Sequence, residues 1–188
     1  MFMKKFELTS ETIINNGKTL YRIKALIDFS NIKAGELGGF VEKESNLYHK
    51  GNAWVYGNAK VSVNAEVYGN SRVSVNAKVY GNSRVCGNAL VSGNALVSGN
   101  ALVSGNALVS GNALVSGNAD YTTISGFGTR FRTTTFFKCS DKKIRVNCGC
   151  FYGTIDEFRE QVNKTRTGKI AKEYLLIADL MEEHFKED

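Results

Sequence analysis

The sequence predicts a mainly β protein built on a parallel β-solenoid, and three observations carry that prediction. Written in sixes from Gly51, the chain reads GNAWVY, GNAKVS, VNAEVY, GNSRVS, VNAKVY, GNSRVC and then GNALVS five times, so eleven hexads run to residue 116. Asn recurs at every sixth position from Asn52 to Asn118, and Val holds the fifth position of each hexad from Val55 to Val115. Proline is absent, which leaves the backbone N–H groups available to a ladder of stacked strands.

Each hexad position has a predicted task. Alternation along a short strand puts Val, and the Ala or Ser two residues before it, on the inner side, and the residue between them outside. The Gly-Asn pair supplies the corner, because these two types tolerate positive φ most readily. Val-x-Gly-Asn-Ala-x resembles the hexapeptide repeat of left-handed β-helices, which implies that handedness and three hexads to each triangular coil. Eleven hexads then make between three and four coils, a prism of roughly 18 Å at ~4.8 Å per rung. Asn side chains stacked on successive coils can bond along the axis.

The outward position changes character halfway. It runs Trp54, Lys60, Glu66, Arg72, Lys78, Arg84, then Leu90, Leu96, Leu102, Leu108, Leu114. On an eighteen-residue coil Leu90 stacks over Leu108 and Leu96 over Leu114, with Leu102 on the third side. An apolar girdle of this size is expected to be covered. Neighbouring subunits around a three-fold axis and the chain's own C-terminal segment are both expected to cover it, so the five leucines are the oligomerisation or docking residues.

The flanks read as separate units, giving boundaries at 1–50, 51–126 and 127–188. Residues 1–50 form a small β-rich cap, with Asn16-Gly17 as a hairpin signal and Gly35, Gly38 and Gly39 as turns. After the repeat the rhythm weakens but can be followed through Tyr121 and Phe127. "TRFRTTTFFKCSDKKIRVNCGCFYG" then reads as two strands around a Ser140–Lys143 turn. Thr154 and Glu157 form a capping box opening a helix with Phe158 and Val162 on one face, and Gly168 reads as its stop. Ile170, Tyr174, Ile177, Met181 and Phe185 mark a last helix over about 169–186. The C-terminal unit is therefore an α+β module, a β-hairpin plus two helices.

Charge and cysteine content narrow the function classes. The chain carries 24 Lys+Arg against 18 Asp+Glu, net +6, which favours anionic partners only mildly. No apolar run reaches the length of a membrane span, so no membrane partner is expected. "MFMKKFELTS" has no secretory h-region, and Cys86, Cys139, Cys148 and Cys150 read as free thiols of a reducing cytosol. No cofactor is expected.

The lead "KAGELGGFVE", the repeats and the tail "TTTFF…VNCGCFYGTIDEF" together resemble a family of phage and prophage hexapeptide-repeat proteins. The resemblance covers essentially the whole chain. It implies a protein of the bacterial cytosol whose tail module, also placed behind other solenoids, is the effector and whose rod is the scaffold.

Residues 87–119 contain no His, Lys, Arg or Glu and no Asp, so acid–base chemistry has no seat in the perfect repeats. The best-known enzymes on this helix type are acyltransferases, and a resemblance to them would demand a catalytic His in the coils. The two histidines are His49 and His184, both outside them, so a non-enzymatic protein with no catalytic residues is expected. Cys139, Cys148 and Cys150 would converge if the hairpin pairs as read, as buried packing thiols or, less in keeping with Cys-x-Cys spacing, as metal ligands; no metal site is assigned.

The densest basic segment is 121–145, with six basic residues and one acidic. Arg130, Arg132, Lys138, Lys142, Lys143 and Arg145 stand among the hydroxyls of Thr133, Thr134 and Thr135 and the rings of Phe136, Phe137, Phe151 and Tyr152. This mix suits a nucleotide or other small phosphate ligand; a solvated basic strand face is the plain alternative, and single-stranded nucleic acid a less favoured one. The function expected is a non-enzymatic homotrimer that sequesters a phosphate-bearing nucleotide signal as an anti-defence protein. Inhibition of a host protein, a structural scaffold and an acyltransferase are the alternatives.

Overall fold

The computed structural model describes residues 3–186. Strands β1 (Phe6–Asn15), β2 (Lys18–Ala25) and β3 (Leu37–Val41) form an antiparallel sheet at the N-terminus. Asn15 pairs with Lys18, so Asn16-Gly17 is a two-residue turn, with φ +50° and +74° as a primed hairpin turn demands.

Eleven two-residue strands, β4 to β14, follow at six-residue steps from Trp54–Val55 to Leu114–Val115. They stack in three parallel rows. Trp54, Arg72, Leu90 and Leu108 lie in one row, Lys60, Lys78, Leu96 and Leu114 in the second, and Glu66, Arg84 and Leu102 in the third. All eleven valines point inward and are fully buried.

Asn side chains form the expected ladder: Asn52 Nδ2 donates to Asn70 Oδ1, Asn70 to Asn88 and Asn88 to Asn106, at 3.0–3.2 Å. The corner differs from expectation. Positive φ falls on the first hexad position alone, at the glycines and at Val63 and Val75 where Gly is replaced, while the neighbouring Asn is free to build the ladder.

The solenoid begins earlier than the hexad count indicates. Phe40–Val41 pairs in parallel with Lys60–Val61, and Leu47 bridges to Val67, which adds two rungs below the first perfect hexad. Trp54 points outward from its coil yet is fully buried, because Phe6 and Phe29 pack edge-on against its ring.

Coil stacking is polar, and the two ends are finished with opposite chemistry. The coil-to-coil bonds run one way, from an N–H to a carbonyl of the following coil, as from Lys60 N to Ala77 O at 2.9 Å. The start therefore offers bare carbonyls and the end bare N–H groups. At the start, the buried Lys5 ammonium donates to Ala53 O (2.8 Å) and Gly51 O (3.3 Å), and Asn46 Nδ2 donates to Ala65 O (2.8 Å). At the end, Asn118 Oδ1, the Tyr121 hydroxyl and Thr135 Oγ1 accept from the N–H groups of Leu102, Ser104 and Leu108.

The C-terminal unit is larger than a hairpin. β15 (Tyr121–Phe127), β16 (Arg132–Lys138), β17 (Ile144–Cys148) and β18 (Phe151–Thr154) make a four-stranded antiparallel sheet in chain order. Tyr121–Phe127 is thus the first strand of this sheet and not a continuation of the repeat. Helices α1 (Ile155–Thr165) and α2 (Gly168–His184) cover one face. Thr154 caps α1 as expected, its Oγ1 accepting from Glu157 N at 3.2 Å. Gly168, expected to stop a helix, instead opens α2 with φ +60°.

The module stacks on the last coil and does not fold back along the leucine sides. Phe137 and Cys139 close the solenoid core, and Asn147 Nδ2 donates to Leu108 O at 2.8 Å. Leu90, Leu96, Leu102 and Leu108 stay partly exposed, and Leu114 is 37 % exposed.

Candidate functional site

β16 is an interior strand with both faces covered, and that divides the basic segment. Even-numbered side chains face the helices: Phe136 joins their core, and Thr134 Oγ1 donates to Cys148 Sγ at 3.2 Å. Odd-numbered ones face the solenoid end, where Phe137 lies and Thr135 Oγ1 accepts from Leu108 N. Thr134 and Thr135 are buried and their hydroxyls already bonded, so they are not ligand donors; Thr133 is partly buried. Phe136 and Phe137 offer no face to a ligand.

The six basic residues separate likewise. Lys138, Lys142 and Lys143 line a cleft of about 740 Å³ between sheet, α1 start and α2 end. Lys186 lines it as well, and Asp120, Asp156 and Glu182 offset most of that charge; Lys138 Nζ lies 3.6 Å from Asp120. Arg145 is held by Asp141, its Nη2 donating to Oδ2 at 2.6 Å in a single charge-assisted hydrogen bond. Tyr152 is on the solenoid side, its hydroxyl so close over Gly111 that a Cβ there would lie 2.0 Å from it.

Arg130 and Arg132 lie elsewhere. They line a groove of about 600 Å³ between the β15–β16 loop, the Cys148–Phe151 turn and the helices. Its third cation, Arg166, follows α1 and was not anticipated from the sequence. Phe151, Phe158, Val162, Ile170 and Tyr174 supply the apolar wall, and Thr129, Thr165, Thr167 and Gln161 the polar one. No Asp or Glu lines the groove, and none of its three arginines makes an ion pair among the described residues. A cavity with three guanidinium groups and no carboxylate has one electrostatic preference: an anion.

Local packing holds the groove in shape. The Tyr174 hydroxyl donates to Phe127 O (3.4 Å) and sits where a Gly128 Cβ would be, at 2.4 Å. Arg159 ties α1 to α2 through Asp179 (2.9 Å) and Glu182 (2.6 Å).

The remaining candidates fall apart in space. Cys139 faces the solenoid core, and burial pushes its thiol up to about 11; Cys148 packs toward the helices and Cys150 is exposed in a turn. The three do not converge. His49 stacks on Phe6 (4.4 Å) and bonds Glu44 (2.6 Å) in the N-terminal cap, while His184 sits against Phe185 at the end of α2. No helix among the described residues is long and apolar enough to cross a membrane.

The stacked hexads with their inward valines define a β-solenoid repeat protein. The family model described as YdcK beta solenoid repeat matches residues 83–99 and 95–111, both inside the run of hexads. The match supports the rod and does not reach the groove. No curated protein matches the chain.

Proposed function

We propose that this chain is a non-enzymatic, oligomeric binding protein whose rod is a rigid support and whose C-terminal groove captures a small phosphate-bearing anion, a nucleotide above all. One observation carries the reading: Arg130, Arg132 and Arg166 line one concave site with no acidic side chain in its wall. Its size of about 600 Å³ suits a small ligand, whose sites span roughly 300–1,000 Å³. Stoichiometric capture needs a stiff frame and a charged pocket rather than catalytic groups. In a phage-infected cytosol, such a protein would act as a sponge for a host signal nucleotide.

The reading assigns the partly exposed leucine rows to self-association as a homotrimer, one side per subunit. A second reading, docking on a host protein through the same module, is favoured by Leu176 and Leu180, exposed one turn apart on α2. Native mass spectrometry of protein purified from cells separates the two. A co-purifying phosphate compound, lost on Arg132→Ala, supports capture; a ligand-free protein that retains a host polypeptide supports docking.

A further inference from the structure

We infer that Phe131 is a base-stacking residue for the arginine groove, so that the ligand carries a flat aromatic ring beside its phosphate. The inference rests on the anion-binding reading and deepens it. Phe131 is 71 % exposed and makes no ring contact among the described residues. Its backbone lies in the left-handed region at φ +49°, where a bulky side chain is rare. Strain of that kind persists only where the surroundings impose it, and it concentrates at ligand sites.

The surroundings are specific. Phe131 closes the short loop between Phe127 and Arg132, which pair as the last rung of β15 and β16. Both its sequence neighbours, Arg130 and Arg132, line the groove. The loop base is pinned by the Tyr174 hydroxyl at Phe127 O. Phe131 thus stands on the loop that carries Thr129, Arg130 and Arg132 into the groove wall; it does not itself line the groove, and its ring is exposed and unused by the fold.

The protein's other rings near the site are committed. Phe136 and Phe158 are buried, and Phe158 packs against Phe151 and Tyr174 at 5.5 and 5.7 Å. A lipid surface would want cations on a convex face around the ring, whereas here they line a cavity. A planar base over Phe131 with its phosphate among the arginines uses both features, because stacking is tolerant of base identity and guanidinium forks match phosphate.

The test is calorimetric titration of the full chain with adenosine 5′-monophosphate and with ribose 5-phosphate. Stacking predicts that the parent binds the nucleotide about ten-fold or more tighter than the sugar phosphate. Phe131→Ala should erase that preference while leaving ribose 5-phosphate affinity and the melting temperature unchanged, and Phe131→Trp should restore it. Equal binding of both compounds by the parent, or a preference that survives Phe131→Ala, overturns the stacking role and leaves the anion site standing. Failure of the parent to bind either compound overturns the anion reading itself. Sedimentation with phosphatidylglycerol vesicles that requires Phe131, with no nucleotide preference, makes the tip a lipid contact and also overturns the inference.

Discussion

The guanidinium of Arg132 lies against the bare α-carbon of Gly149, so close that a Cβ built there would be 2.4 Å from Nη1. Gly149 also holds φ +64°, a conformation that costs an L-residue about 1–2 kcal/mol. Gly149→Ala should therefore displace Arg132 from the groove as well as lowering stability by that amount. In calorimetry its loss of anion affinity should match that of Arg132→Ala. The double variant should be no worse than either single change, because both act on one guanidinium.

Val63 and Val75 occupy the corner position that other hexads give to Gly, with φ +63° and +64°. β-Branched residues are strained there, and Val75 is largely exposed, so little packing offsets the strain. Val75→Gly should raise stability by about 1 kcal/mol, the left-handed penalty less the entropy cost of glycine. Denaturant melts read the difference directly.

Five identical hexads make the rod a modular insert. Deleting one hexad, such as Gly87–Ser92, leaves every remaining Val inward and should yield a folded protein with its C-terminal module turned by about a third of a coil. Deleting Gly87–Leu90 alone breaks the six-residue period, misplaces the corner and should disrupt the coils above it. Val97→Asp should also unfold or truncate the rod, since Val97 is fully buried and an unpaired charge there is costly. Circular dichroism distinguishes these outcomes.

Lys5 is 1 % exposed, and burial pushes its ammonium down to about 8 from 10.5. Between those values the unfolded chain binds more protons than the folded one, so this residue makes stability rise with pH from about 8 to 10.5. Lys5→Met should be less stable throughout, because Ala53 O and Gly51 O lose their donor. It should also lack that rising component when melts are compared across the window.

The rod was readable because its information is local and periodic: inward Val, stacked Asn and a turn every six residues. The two lowest rungs were not, since eight residues separate Leu47 from Val55 and break the period, although Val41 and Leu47 keep the six-residue step. The basic segment misled because clustering in sequence is not clustering in space. β16 is covered on both faces, which sends Arg132 to the groove and buries Thr134 and Thr135. Arg166 joins the site only through packing of the helices on the sheet, a contact no spacing announces. Phe131 had a local sign, an aromatic residue between two arginines, but its exposure and left-handed backbone are properties of the fold.

The central claim is that Arg130, Arg132 and Arg166 form one anion site, and calorimetric titration with adenosine 5′-diphosphate tests it most directly. Each charge-assisted hydrogen bond is worth roughly 1.5–3 kcal/mol, so changing any one of the three to Ala should weaken binding about ten-fold or more. Changing all three should abolish it, whereas Arg145→Ala, whose partner is Asp141, should leave affinity unchanged. If the triple variant binds as the parent does, or if Arg145→Ala is the change that removes binding, the groove is not the site.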